Sequence, residues 1–330
     1  MFRQLSLTVL VLLCCRLGEA FNGPAVYQLT EPLEHGEEPT WDPRTNALYF
    51  VDIHVGNIHS YFYDSDEHYV AHLNGEVTPI IPSKSNESLF VVGVNRTLVA
   101  VGWDGRNNLG KEQALTEISK QFPDSRFNDG KADKEGRLWI GTMGGSNAAG
   151  ETKENEGVVY KITKDNLANP AVVIAPVTIS NGLAWNKAND KFYYIDSPTY
   201  QVLEYQYDDE KGEISNPRVA INVTGLPNVV GQPDGMTIDT DDNLWIALYG
   251  GGSVIKVDPR SGELLQVVPI PARDVTSTMW GGPNLDILYV TTSKVSLTEE
   301  ELKEYPGAGS LYAVTNLGAQ GYAVFNADLD

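Results

Sequence analysis

One phrase recurs along this chain and limits the folds open to it. A polar turn leads into an aliphatic or aromatic run, which closes on a small or acidic residue. The phrase runs from Trp41 to Asp52, from Asp133 to Ile140, from Trp185 to Asp196, from Asp239 to Ala247 and from Trp280 to Val290. A weaker copy falls at Ser88 to Val92. Aligned on Leu48, Leu89, Leu138, Phe192, Leu244 and Leu288, successive copies stand 41, 49, 54, 52 and 44 residues apart. A four-stranded propeller blade occupies roughly 40–50 residues. Six copies therefore predict an all-β fold, a six-bladed β-propeller of four-stranded blades. An eight-stranded barrel or two sandwiches would leave the period without a cause.

Local chemistry agrees. Val, Ile, Tyr and Trp fill the runs, and Asp- and Gly-containing segments supply the hairpin turns between them. Val172-Val173-Ile174 and Ser253 to Val257 read as further strands. The best helical stretch is Ser296 to Tyr305, where Thr298-Glu299-Glu300-Glu301 suits a helix start and Pro306-Gly307 a stop. Ala25 to Leu29 and Gly309 to Val314 both read as strand. A ring of blades keeps an open edge unless its first and last strands pair. The N- and C-terminal strands are therefore expected to complete one blade.

The chain has 330 residues, with Lys+Arg 24 against Asp+Glu 44 and a formal net charge of −20. Such acidity argues against binding nucleic acid or an anionic membrane surface, both of which need clustered Lys and Arg. Arg3, the apolar run Leu5 to Cys15 and the small-residue end Gly18-Glu19-Ala20 form a secretory signal pattern. Residues 1–20 are expected to be removed near Ala20, leaving a secreted single domain over 21–330. The apolar run is far shorter than the roughly 20 residues that span a bilayer, and no later stretch qualifies. Both cysteines, Cys14 and Cys15, leave with the signal segment. Disulfides, zinc-thiolate sites and cysteine nucleophiles are thereby excluded from the mature domain. Asn86, Asn95 and Asn222 open Asn-x-Ser/Thr sequons, candidates for glycosylation in a secreted chain. No coiled coil or basic tail is present, and a monomer is expected.

Four segments carry a carboxylate or amide a few residues before a blade motif. They are Gly36-Glu37-Glu38-Pro39-Thr40-Trp41, Arg126-Phe127-Asn128-Asp129-Gly130-Lys131, Ile179-Ser180-Asn181-Gly182-Leu183-Ala184-Trp185 and Gln232-Pro233-Asp234-Gly235-Met236. Each Asn-Gly or Asp-Gly alone reads as an ordinary turn. Their shared phase in four blades is the stronger signal, because it brings Glu37, Asn128, Asn181 and Asp234 to one mouth. Two carboxylates with amide oxygens form a hard donor set, suited to Ca²⁺, Mg²⁺ or Mn²⁺, with Zn²⁺ also admissible through carboxylates. The five histidines, His35, His54, His59, His68 and His72, show no convergent spacing, so a histidine metal centre is not expected.

On these same segments, with Gly141-Thr142-Met143 and Trp280-Gly281-Gly282-Pro283-Asn284-Leu285-Asp286, the chain resembles the regucalcin (senescence marker protein), gluconolactonase and luciferin-regenerating enzyme family. The resemblance covers essentially the whole mature chain. It implies one divalent cation on the propeller axis, Ca²⁺ foremost, held by Glu37, Asn181 and Asp234. It further implies Asp234 as catalytic base and Arg126 and Asn128 as substrate contacts. One departure stands out: vertebrate regucalcin-like members carry an acidic residue soon after Gly-Thr-Met, where this chain reads Gly144-Gly145-Ser146.

The expected activity is divalent-metal-dependent hydrolysis of a small lactone or related ester. Two alternatives stand beside it. One is a non-catalytic secreted propeller binding calcium or a small ligand. The other is an enzyme like the luciferin-regenerating branch, acting on an aryl or nitrile substrate.

Overall fold

The computed structural model describes residues 23–329. The expected signal peptide, residues 1–20, and both cysteines lie outside the described residues.

The strands form six antiparallel four-stranded sheets. Blade 1 comprises Gly36–Asp42, Ala47–Asp52, Asn57–Phe62 and Glu67–His72. Blade 2 comprises Val77–Pro82, Leu89–Val94, Thr97–Gly102 and Glu112–Glu117. Blade 3 comprises Arg126–Ala132, Leu138–Met143, Gly157–Ile162 and Ala171–Val177. Blade 4 comprises Ser180–Trp185, Lys191–Asp196, Gln201–Asp208 and Glu213–Asn222. Blade 5 comprises Gln232–Ile238, Leu244–Tyr249, Ser253–Asp258 and Glu263–Pro269. Blade 6 takes Asp274–Gly281, Ile287–Ser293 and Tyr312–Thr315 from the end of the chain and Ala25–Gln28 from its start. Ala25 pairs with Thr315 and Gln28 with Tyr312, so the two ends close one blade as expected. The first strand of each blade packs on the first strand of the next, and the sixth packs on the first. The result is a ring whose axis is lined by six inner strands.

Burial falls from axis to rim. The second strands, such as Ala47–Asp52 and Leu244–Tyr249, are almost wholly buried between neighbouring blades. The fourth strands, such as Glu67–His72, alternate towards solvent. This gradient explains why the repeat is read from the second strand, where both faces demand apolar residues. All six alignment residues lie on second strands, although in blade 2 the fully buried residue is Phe90, one beyond half-buried Leu89. The helix is shorter than expected, Glu299–Glu304, with Thr298 and Glu301 forming a reciprocal cap.

Two blades repeat one polar device at the turn into the second strand. Buried Asp133 accepts from Trp139 Nε1 at 2.9 Å, Tyr207 Oη at 2.8 Å and Arg137 Nε at 2.6 Å. Asp239 likewise accepts from Trp245 Nε1 at 3.0 Å and pairs with Lys256 at 2.9 Å. On this same face the chain beyond Thr315 crosses the ring as a strap. Thr240 N donates to Gln320 O, Gly321 N to Leu285 O, Ala327 N to Pro82 O and Asp328 N to Gly136 O, at 2.8–3.0 Å.

Candidate functional site

Every inner strand breaks register with its neighbour at one depth. The breaks fall between Glu37 and Thr40, Val77 and Ile80, Phe127 and Gly130, Asn181 and Leu183, Pro233 and Met236, and Val275 and Ser277. A bulge inserts an unpaired residue and re-aims the side chains beside it. The four polar segments therefore lie inside the inner strands, at their bulges, and not ahead of them. Their glycines are not turn residues either. A Cβ on Gly182 would come within 2.7 Å of the Met236 side chain, and one on Gly235 within 2.1 Å of Ser277 Oγ. Crowding between inner strands at the axis, not turn geometry, requires glycine there.

The mouth beside these bulges gathers all five expected residues. Arg126 Nη1 donates to Phe127 O and to Asn128 Oδ1, each at 2.8 Å. Asn128 Nδ2 donates to Ser180 O at 2.8 Å and to Asn181 Oδ1 at 3.1 Å. Asn181 Nδ2 donates to Ser197 Oγ at 2.8 Å. Glu37 Oε2 accepts from Glu38 N at 2.8 Å. Burial, reinforced by the charge of Asp129, pushes Glu37 up to about 8. Burial also pushes Asp234 well above the carboxylate range, with Glu37 and Asp129 adding to it. Arg126 sits in the field of Glu37, Asp234 and Glu76, which opposes the lowering caused by its burial.

Deeper on the axis, Glu38 and Asp129 face one another, and burial raises both. Lys131 lies beneath, its Nζ donating to Leu183 O at 3.0 Å and to Met236 O. Below Lys131 the axis opens into a cavity of about 430 Å³, with Leu183, Trp185, Ile238, Met279, Val324 and Phe325 in its walls. The strap residues Tyr322 to Phe325 border this cavity, which faces away from the mouth and has no carboxylate in its lining.

Sequence reasoning missed a polar chain around the rim. Ser293 Oγ hydrogen-bonds His35 Nδ1 at 3.1 Å, and the His35 and His54 rings meet edge to face at 5.0 Å. His54 Nδ1 donates to Glu76 Oε1 at 2.7 Å, and Glu76 Oε2 stands 3.8 Å from Arg126 Nε. These residues come from the starts of inner strands, from the loop after Ala47–Asp52 and, for Ser293, from the end of Ile287–Ser293. Glu76 shares its phase with Arg126 in the next blade, a signal the sequence offered but which no flanking Asn-Gly or Asp-Gly marked. At the Gly-Thr-Met departure, Gly145 is closely packed. A Cβ on Gly145 would come within 2.4 Å of the Asp124 side chain and 2.7 Å of its carbonyl oxygen. Gly145 as folded therefore has no room for a side chain, whereas exposed Ser146 offers a hydroxyl where the relatives' pattern calls for a carboxylate.

The donor set fits a hard cation. Two buried carboxylates with raised pKa values oppose each other's ionisation, and a nearby positive charge relieves that cost. Among the described residues no three His, Cys, Asp or Glu side chains cluster as ligands. A cation at the mouth would therefore draw on Glu37 and Asp234 together with the amide of Asn181, an oxygen set characteristic of Ca²⁺ or Mg²⁺.

The SMP-30/Gluconolactonase/LRE-like region family matches residues 35–294. Human regucalcin is 34% identical over 301 residues, covering 90% of this chain and 96% of that protein. An uncharacterised protein from Sulfolobus acidocaldarius is 36% identical over 277 residues, covering 84% of this chain and 90% of that one. Among solved structures, a luciferin-regenerating enzyme superposes with a TM-score of 0.87 at 35% identity, over 93% of this chain and 100% of that one. A calcium-binding protein, regucalcin, from Agrobacterium tumefaciens shares the fold with a TM-score of 0.80 at 22% identity, over 93% and 97% of the two chains.

Proposed function

Because the chain belongs to the SMP-30/gluconolactonase/LRE-like family, we propose that it is a divalent-metal-dependent hydrolase of a small lactone or related ester. The observation that carries this reading is the convergence of Glu37, Arg126, Asn128, Asn181 and Asp234 from four blades on one mouth.

Glu37, Asn181 and Asp234 would hold one cation, with Ca²⁺ the leading candidate and Mg²⁺, Mn²⁺ and Zn²⁺ the others. When bound, the cation polarises a carbonyl oxygen and offsets the two buried carboxylates. Asp234, kept ionised by the bound cation, would accept a proton from the attacking water. Arg126 presents Nε and Nη2 to substrate oxygens, since Nη1 is spent on Phe127 and Asn128. Asn128, fixed by Arg126 and Asn181, orients the same edge. The pattern of residues 1–20 supports secretion, which places this chemistry outside the cell.

The test uses the mature chain, stripped of metal, against sugar and aryl lactones, with Ca²⁺, Mg²⁺, Mn²⁺ or Zn²⁺ restored singly. Turnover should return with metal and vanish in Asp234→Ala. Full activity in Asp234→Ala would reject the mechanism. The altered Gly145-Ser146 stretch favours a second reading, a secreted binder without catalysis. Metal binding with no turnover on any substrate would establish it.

A further inference from the structure

We propose that Glu76, anchored by His54, is a specificity-determining residue that receives hydrogen-bond donors of the substrate at the mouth. The inference rests on the mouth being the substrate site.

Glu76 immediately precedes the inner strand of blade 2, as Arg126 opens that of blade 3. The two side chains stand side by side at equal depth in adjacent blades. Glu76 Oε1 is occupied by His54 Nδ1 at 2.7 Å. The hydrogen bond from His54 also holds the Glu76 carboxyl below its usual range, and so ionised. The backbone is fixed as well, because Glu76 N donates to Asn95 Oδ1 at 3.0 Å. Glu76 Oε2 has no hydrogen bond among the described residues. Its nearest cationic atom, Arg126 Nε, is 3.8 Å away, beyond hydrogen-bond reach. Arg126 leaves Nε and Nη2 unspent.

An ionised acceptor and a pair of charged donors therefore lie together, both unsatisfied. The Glu76 side chain is 41% exposed and that of Arg126 is 13% exposed, so both are reachable from the mouth. A single hydroxyl group satisfies them together, accepting from the guanidinium and donating to the carboxylate. A carbonyl, an ether oxygen or a nitrile can only accept, and would leave Glu76 unpaired. Beyond Gly141-Thr142-Met143, Gly145 has no room for a side chain and Ser146 carries a hydroxyl, not a carboxylate. Glu76 is thus the rim carboxylate available to a substrate hydroxyl, and the pair selects hydroxylated rings over bare ones.

The experiment compares D-glucono-δ-lactone with δ-valerolactone, the same ring without hydroxyls, in wild type, Glu76→Ala, Glu76→Gln and His54→Gln. The ratio of the two kcat/KM values should fall about tenfold or more in Glu76→Ala, the size expected when one charged hydrogen bond is lost. The loss should fall on KM rather than kcat. Glu76→Gln, which keeps an acceptor, should retain part of the preference, and His54→Gln should lie between it and wild type. A ratio within twofold of wild type in Glu76→Ala overturns the proposal. Calorimetric binding of 1,5-anhydro-D-glucitol, a neutral ring that cannot be hydrolysed, provides a readout independent of turnover. If wild type hydrolyses neither these two lactones nor any other lactone of the panel with metal restored, the hydrolase reading fails. Binding at least tenfold weaker in Glu76→Ala then still upholds Glu76 as the hydroxyl receiver. Equal binding, or no binding to wild type, rejects it.

Discussion

Replacing Glu37 by Gln should stabilise the metal-free protein while removing a cation ligand. Glu37 is 6% exposed, and burial with the charge of Asp129 raises it from the ordinary 4.5 to about 8. A carboxyl raised on folding contributes fully below its unfolded value and loses that contribution as pH climbs through the folded value. At roughly 1.4 kcal/mol per pH unit, ionising Glu37 in the folded state costs at most about 5 kcal/mol. Glutamine carries no such cost. The stability difference should therefore be near zero at about pH 4, grow between pH 4.5 and 8, and level off above. For a domain of this length about 1.5 °C accompanies each kcal/mol, so the gain in Tm is at most about 8 °C. The assay is thermal unfolding followed by circular dichroism across this pH range, first with chelator and then with Ca²⁺. Calcium at a hundredfold excess over Kd adds about 2.7 kcal/mol to wild type. Lacking a ligand, the variant should gain far less, and the gap should shrink by about half. A variant melting at or below wild type at pH 8.5 in chelator would refute the argument, as would an offset independent of pH.

Three further outcomes are expected. Asp133→Ala strips three side-chain donors of their buried acceptor and should cost about 3–5 kcal/mol, measured by urea unfolding, with the near-ultraviolet signal of Trp139 altered. His59 is held neutral by burial, with His68 adding to the effect, and its value drops to about 3 from 6.5. A lowered histidine stabilises fully above pH 6.5 and loses that stability as pH falls towards 3, so His59→Phe should flatten the acid limb of a Tm-against-pH profile. Expressed with its N-terminus through a eukaryotic secretory pathway, the chain should carry glycans at Asn86, Asn95 and Asn222, all three exposed. Mass shifts on endoglycosidase treatment of the three single Asn→Gln variants check this assignment.

Blade number and closure were legible because the second strands, buried on both faces, allow little but Leu, Phe, Trp, Tyr, Val and Ile. Leu138 and Leu244 sit fully buried on those strands. Leu89 is one residue out, because the short motif around it lacks the Trp and Asp that mark the other turns. Glu37, Asn128, Asn181 and Asp234 were legible through shared phase alone. Their placement inside the inner strands was not, because a bulge interrupts the alternation from which strands are read. His35, His54 and Glu76 escaped for another reason. Each is separated from its partner by tens of residues or by the ring closure, as with Ser293 and His35, so no local pattern records the contact. The strap beyond Thr315 was equally silent, since many of its hydrogen bonds are backbone contacts and its few side-chain contacts, such as Tyr322 Oη to Thr240 O, follow no repeat.

The latch of blade 6 carries a consequence in time. Ala25 pairs with Thr315, so the first strand synthesised is the last to find its partner. At translation rates of roughly 5–20 residues per second, that strand waits on the order of 15–60 s with an open edge. Blades 1 to 5 can complete their sheets as they emerge, while Ala25–Gln28 stays available to any competing edge, including the same strand of another nascent chain. The most vulnerable stage in this molecule's history is therefore the interval before its last strand exists.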